Sequence, residues 1–234
     1  MDFDLSEEQT ALFDMARDFG AEKIAPHASA WEQAGTIPRA LLEEAGALGL
    51  GGVYVSEESG GAGLSRLDAA LIFEALSMAC PSVAAFISIH NMCARMVDAY
   101  GSDALKARVM PGLVTMETVA SYCLTEPGAG SDAAALRTRA TRSNEGGELT
   151  GTKAFISGGG YSDVYLVMCR TGEDGPKGVS CLLVEDGSEG LSFGAQERKM
   201  GWKAQPTAQV QLDACKVGAG SLVGEEGLGF GDAM

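Results

Sequence analysis

The first half of the sequence carries apolar residues at helical spacing. From Ser6 onward, Leu12, Ala16 and Phe19 recur every three or four positions, which predicts an amphipathic helix. Ser6 and Gln9 have the spacing of a capping box, in which each side chain bonds the backbone amide of the other. The same criteria predict further helices at residues 38–48, 68–78, 83–99 and 103–114.

The second half has a different pattern, in which short runs rich in valine and leucine alternate with Gly, Pro, Asn and Asp. These runs predict strands at residues 119–124, 164–169, 179–184 and 208–212. Parallel neighbours would need crossovers of about a dozen residues, usually helical, and the intervening segments offer none. We therefore predict an α+β protein with an all-helical N-terminal domain at residues 1–117, a mostly antiparallel β-domain at 118–226, and the start of a further segment at 227–234.

Composition and charge limit the classes of partner that we expect. The chain has 234 residues, of which 46% are hydrophobic and 21% charged, as in ordinary globular proteins. Its formal net charge of -15 would repel nucleic-acid phosphates and anionic lipids, so we expect neither nucleic acid nor a membrane as a partner. The acidic N-terminal residues and the lack of a run of ~18 apolar residues favour the bacterial cytoplasm, or the mitochondrial matrix if the source is eukaryotic.

The cysteines, His90 and the tryptophans are predicted to pack in the protein core. The six cysteines form no C-x-x-C pair and do not cluster with the two histidines, so we predict buried thiols with no metal site or disulfide framework. His90 lies among apolar neighbours on a predicted helix, which favours a hydrogen-bonded core imidazole. Trp31 and Trp202, like the methionines, are predicted to fill the core.

One segment has residues that suit ligand binding. It reads Tyr122-Cys123-Leu124-Thr125-Glu126-Pro127-Gly128-Ala129-Gly130-Ser131-Asp132. A predicted strand runs directly into a turn whose glycines leave backbone amides uncovered, so the loop can approach a planar or anionic ligand closely. An ordinary connecting turn is the competing interpretation, because the glycine spacing matches neither a dinucleotide nor a Walker fingerprint. The residue types alone leave both interpretations open.

The same segment resembles the Tyr/Phe-Cys-x-Thr-Glu-Pro-x-x-Gly-Ser-Asp motif of the acyl-CoA dehydrogenase family. Lys153-Ala154-Phe155-Ile156-Ser157-Gly158 is similar to a second segment of that family, with Phe155 where many relatives carry Trp. Three further segments resemble the branch that oxidises isobutyryl-CoA, at residues 63–68, 87–93 and 167–172. The resemblance implies a helical bundle, a β-barrel-like middle domain, and a C-terminal helical bundle that this chain lacks, with FAD held between the last two.

The resemblance also implies the site. The residues expected to bind FAD are Tyr122, Cys123, Leu124, Thr125, Gly130, Ser131, Phe155, Ile156 and Ser157. Ser131 is expected to contact the thioester side of the acyl-CoA as well. The family's catalytic base is a glutamate of the C-terminal bundle, so we assign no catalytic residue here. Glu126 is predicted to brace its own loop.

By this resemblance, the activity is FAD-dependent α,β-dehydrogenation of a short branched acyl-CoA, isobutyryl-CoA to methacrylyl-CoA in valine catabolism. Electrons would pass to an electron-transferring flavoprotein, and the parent protein would be a homotetramer. Two alternatives stay open: an oxygen-using flavoprotein of the same fold, either an acyl-CoA oxidase or a monooxygenase, and a non-catalytic binding fragment. The chain by itself is expected to be inactive.

Overall fold

The computed structural model describes residues 4–143 and 146–233. Its N-terminal part is helical. The α-helices there are α1 (Glu7–Phe19), α2 (Ala28–Ala34), α3 (Arg39–Ala47), α4 (Arg66–Ala79), α5 (Pro81–Tyr100) and α6 (Asp103–Thr115). A π-helical turn, Gly20–Ile24, continues α1, and a 3₁₀ turn, Glu57–Ser59, lies between α3 and α4.

The helix starts follow from local chemistry. Ser6 caps α1 in the predicted capping box, and Ser65 caps α4 in a second one with Asp68, so free amides of the first turn are satisfied. Pro81 is the first residue of α5, where its missing N–H costs nothing. Burial of an apolar stripe on each helix other than α2 then provides most of the stability.

The second part is a sheet. Its strands are β1 (Ala120–Cys123), β2 (Arg139–Ser143), β3 (Gly146–Ser157), β4 (Val164–Arg170), β5 (Val179–Glu185), β6 (Leu191–Phe193), β7 (Thr207–Gly218) and β8 (Leu222–Val223). Short 3₁₀ turns, Ala133–Ala135, Pro176–Gly178 and Ala219–Ser221, lie between strands, and a short helix, α7 (Gly229–Ala233), follows β8.

The strand order is β6-β7-β3-β2-β4-β5-β8, with β1 paired to β4. The β2–β3, β3–β7, β4–β5, β5–β8 and β6–β7 pairs are antiparallel, which confirms the predicted character of the sheet. Two contacts are parallel: β1 with β4, and a single pair between Arg139 of β2 and Arg170 of β4. The parallel β1–β4 pair places the end of β1 beside the middle of β4.

Three apolar clusters hold the fold together. One fills the helical part, a second lies between α5, α6 and the sheet, and a third fills the other face of the sheet. Strand β4 serves two of them, because Leu166 and Met168 face the helices while Tyr165 and Val167 face the opposite cluster. Burial of each such side chain stabilises the fold by about 1.5–3 kcal/mol.

The predicted helices and strands are present, but several short elements were not predicted, among them α2 and β2. The α2 helix has no buried residue among its seven, so its apolar period is weak. The β2–β3 hairpin was also not predicted from the residues, although the resemblance includes residues 153–157 of β3. All six cysteines are buried, as predicted. Within the described residues, no helix is both long and apolar enough to cross a bilayer.

Candidate functional site

The candidate site begins where β1 leaves the sheet and enters a tight turn. Glu126 and Ala129 exchange two backbone hydrogen bonds, at 3.0 and 3.1 Å, which close the turn through Pro127 and Gly128. Beyond it, Gly130 and the following residue are exposed. The glycine-rich turn therefore lies at the surface.

Strand β3 holds the entry to this turn. The amide of Ala154 donates to the carbonyl of Thr125 at 2.8 Å. The ammonium of Lys153 donates to the carbonyl of Leu124 at 3.0 Å and to Oε1 of Glu126 at 2.8 Å. Three successive residues of the turn thus present an acceptor to two successive residues of β3.

Glu126 pins both ends of the loop. Its Oε2 accepts the amide of Arg137 at 2.6 Å, and its Oε1 accepts the amide of Thr138 at 2.8 Å. Burial acts against the charge, but hydrogen bonds from Lys153, Thr138 and Arg137 lower the pKa of Glu126 below its ordinary value. The predicted bracing role of Glu126 is confirmed.

The outer edge of the loop carries unpaired donors. In the described part of the chain, the amides of Thr125, Gly130 and Ser131 have no hydrogen-bond partner, and neither do the hydroxyls of Thr125 and Ser131. Because the carbonyls of Leu124 and Thr125 are bonded to β3, the unpaired backbone group of Thr125 on this edge is its amide donor. Such an edge suits an electron-rich ligand atom.

The glycines of the loop also leave room for a ligand. A Cβ placed on Gly128 or Gly130 would meet no atom within 4 Å, and neither glycine has a left-handed φ. Neither backbone strain nor a clash within the chain accounts for glycine at these two positions. Glycine lets a bound molecule approach the backbone closely at such positions.

Phe155 is held in an unusual conformation next to Ala154. Its φ is +58°, in the left-handed region, and its side chain is 68% exposed. The residue lies in a bulge, because the β3–β7 register shifts between Lys153 and Ile156. Such a conformation costs an L-residue about 1–2 kcal/mol, and a bulge turns a side chain away from its regular direction.

The other predicted residues divide by exposure. Cys123 and Ile156 are 0% and 2% exposed and pack in the third cluster, so their side chains are not available to a ligand. Leu124 is half-buried against the cluster between helices and sheet. Ser157 is half-buried, and its carbonyl accepts the hydroxyl of Ser121 at 2.5 Å.

Tyr122 has a buried hydroxyl that finds no hydrogen-bond partner among the described residues. Its ring is half-buried against the same cluster as Leu124, and burial raises the pKa of the phenol well above its usual value. An unpaired buried hydroxyl costs about 1–3 kcal/mol, which a polar ligand atom or a water would relieve.

Two outcomes differ from the sequence predictions. Lys153, which is fully buried at the centre of the site, was not predicted as a site residue. The available signal was its place directly before the apolar residues 154–156, four residues before the predicted Ser157. The prediction that Trp202 and the methionines fill the core is wrong for Trp202, which is 55% exposed with φ of +55°, and for Met78 and Met200, which are 69% and 100% exposed. Trp31 does pack against the helical cluster, as predicted.

Known proteins match this chain over nearly its whole length. Residues 6–117 match the acyl-CoA dehydrogenase N-terminal domain, and residues 121–215 match the acyl-CoA dehydrogenase middle domain. The mitochondrial isobutyryl-CoA dehydrogenase of Dictyostelium discoideum is 54% identical over 98% of this chain and 56% of its own length. That of Bos taurus is 52% identical over 98% of this chain and 55% of its own length.

Solved structures share the fold. A chain described under the electron transferring flavoprotein of Acidaminococcus fermentans superposes with a TM-score of 0.94 at 34% identity, covering 100% of this chain and 62% of that one. PigA with FAD and proline superposes with a TM-score of 0.94 at 29% identity, covering 99% and 62%. This chain spans about half the length of the curated relatives, at 56% and 55%. The chain belongs to the acyl-CoA dehydrogenase family.

Proposed function

We propose that this chain supplies the flavin-facing and thioester-facing loop of an FAD-dependent acyl-CoA dehydrogenase. The observation that carries the proposal is the loop from Thr125 to Ser131, whose unpaired donors and open glycines are shaped for close approach of a ligand. Within the family, the similarity to two isobutyryl-CoA dehydrogenases supports a short branched substrate, isobutyryl-CoA, converted to methacrylyl-CoA in valine catabolism.

The residues present fit FAD. The amide and hydroxyl of Thr125 are free to donate to the electron-rich heteroatoms of the flavin ring. The exposed Phe155 offers a flat aromatic surface close to Thr125, because its neighbour Ala154 bonds the carbonyl of Thr125. PigA, a structural neighbour, is described with FAD bound. When bound, FAD supplies the electron-accepting step that amino-acid side chains cannot provide.

The chain's own contribution is placement. Removing a proton from the α-carbon of a thioester moves charge onto its carbonyl oxygen, and fixed donors near that oxygen stabilise the change. Ser131, exposed with an unpaired amide and hydroxyl, is the residue we assign to the thioester side. Because the loop is pinned before catalysis by Glu126, its donors need little reorganisation.

We assign no base to this chain. Glu126 is bonded to Lys153 and two amides, and its lowered pKa makes it a poor proton acceptor. We propose that the base is a glutamate in the portion of the relatives' length that these residues do not span. The proposed electron acceptor is an electron-transferring flavoprotein, and the proposed assembly is a homotetramer.

The proposal is tested with protein expressed from the complete gene and loaded with FAD. Under anaerobic conditions, we expect isobutyryl-CoA to bleach the flavin absorbance faster than butyryl-CoA does. Bleaching by butyryl-CoA alone would contradict the substrate, and a protein that takes up no FAD would contradict the proposal as a whole. Peroxide released on turnover in air at the rate of turnover would indicate an oxidase instead.

A further inference from the structure

A buried charge pair lies directly behind the candidate site. Lys153 is 0% exposed and Glu126 is 8% exposed, with their charged atoms 2.8 Å apart. Lysine is almost never fully buried unless it is paired. A buried ion pair is often no more stable than apolar residues of similar volume, so stability alone does not account for it.

The geometry of the pair explains its placement. Lys153 bonds the carbonyl of Leu124 as well as Glu126, and its neighbour Ala154 bonds the carbonyl of Thr125. Both residues of β3 thereby turn the acceptors of the loop entry inward. The amide and hydroxyl donors of Thr125 are left unpaired.

The carboxylate extends the same control to the far end of the loop. Glu126 accepts the amides of Arg137 and Thr138, eleven and twelve residues later in the chain. One side chain therefore closes the base of the loop that carries Gly130 and Ser131. If the carboxylate moved, the entry and the exit of this loop would move together.

We infer, on the basis of the proposed flavin site, that Lys153 and Glu126 are positioning residues that hold the donors of Thr125 and Ser131 against FAD and the thioester. Neither touches the reacting atoms in this assignment. They act through the backbone of the loop, so their loss changes the ligand's electronic environment and not only the stability of the protein.

The test compares this pair with a matched exposed pair in the same sheet. The variants are Lys153→Met and Glu126→Gln, the latter replacing one acceptor with a donor that faces the amide of Arg137. The controls are Lys216→Met and Glu148→Gln, a Lys–Glu pair between β7 and β3 whose side chains are 52% and 49% exposed. FAD affinity, the absorption spectrum and the reduction potential of bound flavin are measured, the last two at saturating FAD.

We expect FAD affinity to fall by about tenfold or more in each site variant, which corresponds to ~1.4 kcal/mol. At saturation, we expect a shifted flavin spectrum and a lower reduction potential, because displaced donors stabilise electron-rich reduced flavin less well. The two control variants should match the wild type in all three measurements.

Two outcomes would overturn the inference. If the site variants lose folding stability but keep the wild-type affinity, spectrum and potential at saturating FAD, their role is structural only. If Lys153→Met does not fold, Glu126→Asp decides by the same readouts, since it keeps the charge and shortens the side chain by one methylene. Wild-type protein that binds no FAD would contradict the proposed function itself, and so is measured first.

Discussion

The imidazole of His90 holds the first residue of β1, since its Nδ1 accepts the amide of Ala120 at 3.1 Å. Its Nε2 lies 2.8 Å from the carbonyl of Leu113 at the end of α6, and a carbonyl can only accept, so Nε2 carries the proton. His90 is therefore neutral and fully buried, as the sequence predicted. The bridge ties two helices to the strand that leads into the candidate site.

This bridge predicts a pH dependence of stability. Burial lowers the pKa of His90 from 6.5 to about 4. As the pH falls below 6.5, the unfolded chain takes up the proton before the folded chain does, so stability is full above pH 6.5 and is lost progressively down to about pH 4. By pH 5 the loss should be about 2 kcal/mol.

The control for this prediction is His90→Gln, whose side chain can donate and accept but does not titrate. The free energy of unfolding is measured in urea at pH 7.5 and pH 5 for both proteins. The wild type should lose about 2 kcal/mol more than the variant. Equal losses in the two proteins would show that His90 does not control this range.

The open glycines predict a separation of binding from stability. Gly130→Ala should leave the free energy of unfolding unchanged or raise it by about 0.4–1 kcal/mol, because a Cβ meets nothing within 4 Å and the unfolded chain loses freedom. FAD or acyl-CoA affinity should fall, because the methyl group takes up the space of the ligand.

Gly220→Ala is the matched control, since it too has open space around its Cβ and lies in a turn far along the chain. Its stability should respond as that of Gly130→Ala does, with ligand affinity unchanged. Wild-type affinity in Gly130→Ala, measured by titration calorimetry, would remove the argument that a ligand accounts for this glycine.

The strained backbone of Phe155 predicts that substitutions there change the stability of the protein and its affinity for FAD separately. Its left-handed φ of +58° strains any residue with a Cβ, so Phe155→Gly should be more stable than Phe155→Ala by about 1 kcal/mol. Both variants lose the exposed ring and should bind FAD more weakly than the wild type, to the same extent. If Phe155→Ala were the more stable protein by urea denaturation, the strain would not exist in solution.

Much of this fold could be predicted from the sequence, because it depends on local patterns. Ser6 and Gln9 formed the predicted capping box, and the apolar run at residues 164–169 became the buried strand β4. What could not be predicted depends on distant partners. Lys153 is buried only because Glu126 meets it across the loop, and the φ of Phe155 follows from the pairing of β3 with β7. The flavin-site assignments came from resemblance, since spacing alone favoured an ordinary connecting turn.

Glu32 links the helical part of the chain to the segment before β7. The carboxylate of Glu32, in α2, accepts the hydroxyl of Ser82 and the amides of Lys203 and Ala204 just before β7. Burial opposes the charge, but these bonds lower the pKa of Glu32. Glu32→Ala leaves several donors unpaired and should cost about 1–3 kcal/mol.

The control is Glu44→Ala, which removes an exposed partner of Lys23 and should cost less than about 1 kcal/mol. Thermal or urea unfolding of the two variants measures the difference. Equal costs would mean that Glu32 contributes no more than a surface ion pair does.

The central claim is that the unpaired donors between Thr125 and Ser131 hold the flavin, and amide hydrogen exchange tests it most directly. In apoprotein expressed from the complete gene, we expect the amides of Thr125, Gly130 and Ser131 to exchange fast while that of Ala154, bonded to Thr125, exchanges slowly. Adding FAD should slow exchange at the first three and leave Ala154 unchanged. Tight FAD binding with no change at any of the three loop amides would contradict the account.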